Sequence, residues 1–292
     1  KTMHLTEMEA LSRQKPIDIA FVSMKSYDTE WATALIKQYL APDGYVVSLQ
    51  NCLNEERIAG VVGWANDVGM IASLISVDMF EPARIRRTVA KGGDKHTVFR
   101  VGGGHGRITK RVEELRDMVG RIDSAKTTTN LWGERWAKLC QNGMKNGVSA
   151  ATGLTGSDCD RNDAIRRFSI KLGGEAVRVG QALGYHIEKI GKMEPETLAK
   201  ASEGDKAALD EIETIMRPGS NTNPNPRADI QRPSMAQDIR KGRRTEIEFM
   251  NGYIAERGNY IGVPAPTHAK LTEIVKKVER REVKAAPALL GG

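Results

Sequence analysis

The chain has 292 residues, a formal net charge of +7 and hydrophobic residues at 40% of its positions. This length exceeds that of a typical single domain and the composition is ordinary for a globular protein, so the chain can bury two cores. No apolar run approaches the roughly twenty residues of a membrane span, and no secretory signal pattern is present, so we expect a cytoplasmic protein without a membrane partner.

The first part of the chain alternates strand and helix patterns. Strands are predicted at 17–24, 45–49, 69–77 and 97–101, helices near 30–39, 55–61 and 110–120, and a last short stretch at 127–130. This alternation is typical of half a doubly wound α/β sheet. We therefore predict a partial Rossmann-type, dinucleotide-binding domain over residues 1–130.

From residue 131 onward the apolar periodicity is helical almost throughout, which predicts an all-helical second domain over residues 131–292. Long helices are predicted near 132–153, 163–183, 245–261 and 267–281. The segment 218–226 is rich in proline and asparagine and predicts a loop, either a plain surface connection or one beside the active site. The final segment, 285–292, is expected to fray.

Three polar side chains, Lys138, Asn142 and Asn146, recur at four-residue steps in the helix predicted at 132–153. They project from one narrow stripe, so one ammonium and two amides face a common cleft. A separate stripe of apolar and small residues predicts the packing side of this helix: Trp132, Trp136, Leu139, Gly143 and Gly147. From spacing alone, a solvated surface lysine with two incidental asparagines remains an alternative.

A second segment, 234–252, contains two capping-box patterns, Ser234 with Gln237 and Thr245 with Glu248. Glu246 would then lie in a first helical turn, where an acidic side chain favours the helix dipole and meets few packing constraints. Taken singly, each of these residues has a purely structural explanation.

The two segments together closely resemble the ketopantoate reductase family, whose members reduce 2-dehydropantoate to pantoate with NADPH on the route to coenzyme A. The resemblance is carried by Lys-Leu-x-x-Asn at 138–142, Ser-Met-x-Gln-Asp-Ile at 234–239, Thr-Glu-Ile-Glu at 245–248, Asn-Gly at 251–252 and Gly-Val-Pro-Ala-Pro at 262–266. Upstream, residues 20–25 are similar to the family's strand that ends in a lysine, and residues 47–56 to its strand that ends in Gln-Asn-Gly.

Two departures from the family pattern concern the cofactor site. The sequence opens at Lys1, inside what the pattern places as the nucleotide domain, so the Gly-x-Gly-x-x-Gly turn that seats a pyrophosphate is absent from it. The glycine-rich run at 101–107 has a different spacing and is predicted to be a loop. Cys52 replaces the glycine that usually follows the asparagine, which adds a side chain where the backbone approaches the cofactor.

The resemblance implies a role for each residue of the predicted substrate site. Lys138 would protonate the ketone oxygen and stabilise its developing charge. Glu246 would balance Lys138 or bind a substrate hydroxyl. Asn142, Asn146 and Ser234 would orient substrate oxygens through neutral hydrogen bonds. The helical domain would then bind substrate and mediate homodimerisation.

The resemblance also implies that Lys25 and Asn51 bind NADPH. Both end predicted strands, where open α/β sheets bind ligands. The alternatives for these two positions are a strand-end surface lysine and a turn asparagine. The preference for NADPH over NADH rests on the resemblance alone, because the residues that discriminate them usually lie about twenty positions beyond the glycine turn.

Other ligand classes are not predicted. The three cysteines, at positions 52, 140 and 159, are an odd number without Cys-x-x-Cys spacing, and the five histidines stand singly, so neither disulfides nor a metal site is expected. Basic clusters are dispersed and aromatic residues are few, so no nucleic-acid partner is expected.

Three classes of function stay open on these grounds. The first is a ketopantoate reductase or a relative that reduces another branched 2-oxo acid. The second is another two-domain dehydrogenase, such as an opine or 3-hydroxy acid enzyme, which would not account for the match over 234–251. The third is a non-catalytic fragment with an incomplete cofactor site, in which the strand at 17–24 would leave an apolar edge open to association.

Overall fold

The computed structural model of the chain describes residues 2–75, 77–81, 83–87, 89–217 and 232–291. It divides into two compact units, Lys1–Leu131 and Trp132–Gly292. The predicted fold class, an α/β domain followed by a helical domain, is confirmed. The loop predicted at 218–226 lies outside the described residues.

The first unit contains strands, α-helices and short 3-10 helices. Its strands are β1 (Ile17–Val22), β2 (Leu40–Ser48), β3 (Asp67–Ala72), β4 (Val77–Glu81), β5 (Arg84–Arg87), β6 (Phe99–Gly102) and β7 (Ala125–Thr127). Its α-helices are α1 (Thr29–Lys37), α2 (Glu55–Val62) and α3 (Lys110–Gly120), and its 3-10 helices are Leu5–Arg13, Ser26–Asp28 and Trp64–Asn66.

Five strands form one mixed sheet in the order β1-β2-β3-β6-β7. β1, β2 and β3 are parallel, β6 runs antiparallel to β3, and β7 is parallel to β6. Side chains alternate between the two faces of the sheet. Val47 of β2 packs in the cluster that includes Leu115 of α3, whereas the adjacent Val46 packs with Ile58 of α2. Because both faces are covered, the central strands are apolar along most of their length.

Some predicted strand boundaries are wrong. The single strand expected at 69–77 is interrupted, because β3 ends at Ala72 and β4 pairs with β5 in a separate hairpin. Between them Leu74 has φ +53°, a left-handed conformation that no extended strand can contain. The stretch expected at 127–130 is β7, which ends at Thr127.

The second unit is helical in its described part. Its α-helices are α4 (Leu131–Thr152, whose first residue belongs to the first unit), α5 (Gly156–Arg161), α6 (Asp163–Ala182), α7 (Pro195–Glu203), α8 (Lys206–Met216), α9 (Ser234–Arg240), α10 (Asn251–Tyr260) and α11 (Pro266–Glu279). Two 3-10 helices, Ile247–Phe249 and Pro287–Leu290, complete it. Among the described residues, no helix combines the length and apolar character needed to cross a bilayer.

The long helix expected at 245–261 is wrong. Glu246 is not helical, a 3-10 turn follows it, and α10 begins at Asn251 after Met250 at φ −112°, ψ −87°. Neither predicted capping box forms. Ser234 is the first residue of α9 rather than its cap, with no side-chain cap hydrogen bond, and the hydroxyl of Thr245 donates to Glu279 instead.

The carboxyl-terminal segment is packed rather than frayed. The backbone N–H of Ala286 donates to the carbonyl of Ala151 near the end of α4 at 3.0 Å. Leu290 is buried. These contacts hold the segment against the rest of the second unit, which the small and apolar residues of its sequence did not indicate.

Candidate active site

The predicted polar stripe lies on α4. Lys138 and Asn142 are half-buried, and Asn146 is buried. The predicted packing side is largely confirmed, since Trp136, Leu139, Gly143 and Gly147 are buried while Trp132 is half-buried. The polar stripe is therefore distinct from the side by which α4 enters the core.

Trp136 and Gly180 fix the packing side of α4. The indole N–H of Trp136 donates to the carbonyl of Ala176 on α6 at 2.9 Å. Gly180 makes room for this ring, since a Cβ there would stand 2.1 Å from the indole nitrogen. The pairing of a large aromatic residue with a glycine sets the rotation of α4 about its axis, and so the direction of its polar stripe.

Glu246 is buried, with 6% of its surface exposed. The expectation that it occupies an exposed first helical turn is wrong, because the preceding residue is bound to α11. Glu279 accepts hydrogen bonds from the backbone N–H and the hydroxyl of Thr245, at 2.8 and 2.6 Å. Glu248 accepts from Arg244 and Lys276, at 3.1 and 3.0 Å. The irregular segment around Glu246 is thus bound to α11 on both sides of that residue.

One contact links the polar stripe of α4 to the segment that follows Glu246. The amide nitrogen of Asn146 lies 3.8 Å from the sulfur of Met250, four residues beyond Glu246. Asn251 bridges α4, α10 and α11 through its side-chain amide. Ser234 is exposed at the first residue of α9.

The two predicted cofactor residues lie at the carboxyl edge of the sheet in the first unit. Lys25 follows β1 and Asn51 follows β2, and these strands are parallel neighbours. Both residues are half-buried. Side chains at strand ends on one edge of a parallel sheet can converge on one ligand.

Two buried amides that the sequence reasoning missed hold these strand ends together. Gln50 donates to the carbonyl of Met24 at 2.8 Å and to the hydroxyl of Thr29 at 2.8 Å. Asn54 donates to the hydroxyl of Ser26 at 3.1 Å. Their clustering with Asn51 directly after a hydrophobic strand is the sequence pattern that could have identified Gln50 and Asn54.

Cys52 has φ +65° and is buried. This left-handed conformation is one that glycine adopts freely and other residues adopt at a cost of about 1–2 kcal/mol. The backbone at this position therefore has the geometry that a glycine would favour, although the side chain differs.

The glycine-rich run at 101–107 is a loop, as predicted, and connects β6 to α3. Because β6 is antiparallel to β3, this loop lies at the sheet edge opposite to Lys25 and Asn51. A cavity of about 270 Å³ is lined by residues of this loop, α3 and the start of β3, including His105, Lys110 and Asp67. The run does not substitute for the pyrophosphate turn at the carboxyl edge.

Cys140 and Cys159 are not candidate nucleophiles. Burial raises the pKa of the Cys140 thiol, and it also raises that of Cys159, so neither is a reactive thiolate at neutral pH. Within the described ranges, no cluster of three or more His, Cys, Asp or Glu side chains could hold a metal ion.

Two family models match the chain. "Ketopantoate reductase PanE/ApbA" matches residues 1–97, and "Ketopantoate reductase PanE/ApbA C terminal" matches residues 130–279. The 2-dehydropantoate 2-reductase of Archaeoglobus fulgidus is 26% identical over 274 residues, which cover 92% of this chain and 79% of that protein. The enzyme of the same name from Pyrococcus horikoshii is 26% identical over 263 residues, covering 90% and 76%.

Solved structures share the fold. A PanE/ApbA family ketopantoate reductase from Ralstonia eutropha superposes with a TM-score of 0.69 at 23% identity, covering 91% of this chain and 76% of that one. D-mandelate dehydrogenase in complex with NADH gives a TM-score of 0.72 at 18% identity, covering 90% and 79%. At these identities the likeness establishes the architecture only.

Proposed function

Since the chain belongs to the ketopantoate reductase family of oxidoreductases, we propose that it reduces 2-dehydropantoate, or a related branched 2-oxo acid, with NADPH. The observation that carries the proposal is the stripe of Lys138, Asn142 and Asn146 on α4, on a helix tied by Asn251 to the elements that follow Glu246. An ammonium group can protonate the ketone oxygen of a 2-oxo acid, and neutral amides can orient its other oxygens.

The proposed substrate residues have different roles in this reaction. Lys138 donates a proton to the ketone oxygen and stabilises the negative charge that develops on it. Asn142, Asn146 and Ser234 donate or accept neutral hydrogen bonds that hold the substrate without cancelling the charge of the lysine. Glu246 balances that charge or accepts from a substrate hydroxyl.

The first unit supports a nucleotide site at the carboxyl edge of its sheet. Lys25 presents a cation and Asn51 an amide there, and Gln50 and Asn54 tie the two loops together. This donor set fits a phosphorylated dinucleotide with a carboxamide group. When bound, NADPH supplies the hydride.

Two further properties belong to this proposal. We expect a homodimer, in keeping with a structural relative described as a dimeric ketopantoate reductase from Staphylococcus aureus, which has a TM-score of 0.69 at 17% identity. We also expect a cytoplasmic location. Light scattering of the purified protein tests the dimer.

The first test is a titration of the 292-residue protein with NADPH and, in parallel, NADH, followed by tryptophan fluorescence. Saturable and NADPH-selective binding is expected. Turnover is then measured with 2-dehydropantoate, other branched 2-oxo acids, and the imines and 3-oxo acids that opine and 3-hydroxy acid enzymes would use. No nucleotide binding by a folded sample would contradict the reductase function of this chain.

A further inference from the structure

Asn251, the first residue of α10, lies where three helices of the second unit meet. Its side chain is fully buried. Its amide nitrogen donates to the carbonyl of Gly143 on α4 at 3.0 Å and lies 3.0 Å from Nδ1 of His268 on α11. Gly143 directly follows Asn142, so this amide contacts the backbone of the turn that carries the polar stripe.

The imidazole of His268 determines which way the Asn251 amide faces. Nε2 of His268 lies 2.8 Å from the carbonyl of Leu172, which can only accept, so Nε2 carries the hydrogen. Burial lowers the pKa of His268 to about 4, so the ring is neutral at pH 7 and Nδ1 is an acceptor. A flipped Asn251 amide would point its oxygen at two acceptors, Nδ1 and the Gly143 carbonyl.

The helices approach too closely at this junction for α4 to shift without cost. A Cβ at Gly147 would stand 2.9 Å from Leu271 of α11 and 3.1 Å from the side-chain oxygen of Asn251. At Gly143 a Cβ would stand 3.3 Å from Cε1 of His268. Each glycine follows an asparagine of the polar stripe, so the backbone contacts fix the turns from which Asn142 and Asn146 project.

The Asn251 amide forms its hydrogen bonds at this junction through its nitrogen. Its side-chain oxygen is buried and accepts no hydrogen bond within the described part of the chain. The two contacts of its amide nitrogen connect α4, the helix that carries Lys138, to α11, so Asn251 can hold α4 in place.

We propose that Asn251 and His268 are positioning residues of the reductase, which set the placement of Lys138, Asn142 and Asn146 through the backbone of α4. The inference rests on the proposed function and deepens it. Neither residue needs to touch the substrate. Their loss slows the chemical step and leaves nucleotide affinity unchanged.

The test compares three substitutions at the junction with a control. His268→Gln keeps an acceptor for Asn251 and a donor for Leu172, whereas His268→Leu keeps neither. Asn251→Ala removes the other partner, so a folding failure of one variant leaves the other as the test. Ile212→Ala on α8 is the control, since it removes buried volume from the second unit outside the junction.

We expect His268→Leu and Asn251→Ala to lower kcat about tenfold to a hundredfold, with the Kd for NADPH unchanged. His268→Gln should retain most of the wild-type kcat. Ile212→Ala should lose stability, but its kcat, measured well below its melting temperature, should equal that of the wild type. Wild-type kcat in His268→Leu and Asn251→Ala would overturn the proposal. A His268→Gln variant as slow as His268→Leu would also overturn it, because the hydrogen bonds of residue 268 to Asn251 and Leu172 would then not determine kcat.

A second readout does not depend on turnover. Long-range ¹H–¹⁵N NMR of the wild-type protein at pH 7 should show His268 as the neutral tautomer with hydrogen on Nε2. A ring with hydrogen on Nδ1 would reverse the Asn251 amide and overturn the proposal. If the wild-type protein reduces no 2-oxo acid, the proposed function fails together with the positioning role, while the expected tautomer would still establish the junction itself.

Discussion

Lys138 is the residue on which the proposed reduction depends most directly. Lys138→Met keeps a long apolar side chain on α4 but removes the proton donor and the positive charge. We expect kcat to fall by orders of magnitude while the Kd for NADPH is preserved, as measured by steady-state kinetics and fluorescence titration. Lys145→Met is the matched control on the same helix, because Lys145 pairs with Asp160 at 2.9 Å. Equal losses in both variants would contradict the role of Lys138.

Glu246 tests the second charge of the proposed site. Glu246→Gln keeps the size of a buried side chain and removes its charge, so we expect kcat/KM to fall about tenfold to a hundredfold with the fold intact. Circular dichroism and kinetics check both points. Glu248→Gln serves as the control, since Glu248 pairs with Arg244 and Lys276. Global unfolding of Glu246→Gln alone would favour a structural role.

Cys52 provides a test of backbone strain. In a left-handed conformation a Cβ costs about 1–2 kcal/mol, so we expect Cys52→Gly to be more stable than Cys52→Ala by about 1 kcal/mol in urea unfolding. The order should reverse at Cys159, which lies in the helix α5, where glycine is less stable than alanine by about 1 kcal/mol. If the alanine variant were the more stable one at both positions, the backbone at Cys52 would not be strained.

At the scale of elements, periodicity located most helices and strands, and errors occurred where long-range contacts override it. The boundaries of α3 were predicted as they are, because its apolar spacing and its Thr109 cap agree. The helix expected at 245–261 is interrupted by a contact between Thr245 and Glu279, which are 34 positions apart. No local pattern encodes such a pair.

The start of α11 depends on a side chain from another helix. Glu175 of α6 accepts hydrogen bonds from the backbone N–H groups of Thr267 and His268, at 3.0 and 3.3 Å, and so satisfies donors that a helix start leaves free. We expect Glu175→Ala to lower the free energy of unfolding by about 2 kcal/mol, measured in urea. Glu273→Ala, an exposed change on α11, should have little effect. Comparable losses would contradict the capping role.

At the scale of the whole molecule, His268 makes stability depend on pH. Its pKa is about 4 in the folded protein and 6.5 without burial, so between these values only the unfolded state binds the proton. The contribution of His268 to the free energy of unfolding is therefore fully present above pH 6.5 and is lost as the pH falls toward 4, by on the order of 3 kcal/mol. Urea unfolding across this range should show the decline in the wild type and a smaller one in His268→Gln. Equal slopes would contradict a buried neutral histidine.

Asp123 adds acid sensitivity to the first unit at lower pH. Burial opposes ionisation of its carboxylate, but N–H donors of Ser124, Gly92 and Gly93 and the guanidinium of Arg87 outweigh it and hold the pKa at about 2. Because this pKa is depressed from 3.8, the stabilisation is present above pH 4 and is lost as the pH falls toward 2. The two units thus respond to acid through different residues.

Helix spacing and strand ends predicted where some of the candidate site residues lie. The four-residue period puts Lys138, Asn142 and Asn146 on one stripe, and the strand boundaries put Lys25 and Asn51 at strand ends, but their proposed roles come from the family resemblance. The burial of Glu246 and the junction at Asn251 were not predictable, because they depend on which distant side chains α11 contacts. Family resemblance located these residues without giving their contacts.

The burial of all three cysteines makes each unit chemically observable by itself. Cys52 lies in the first unit, and Cys140 and Cys159 lie in the second. A thiol reagent can modify a buried cysteine only during transient opening of the structure around it. Mass spectrometry of labelled peptides from one reaction would therefore report separate opening free energies for the two units, without any engineered probe.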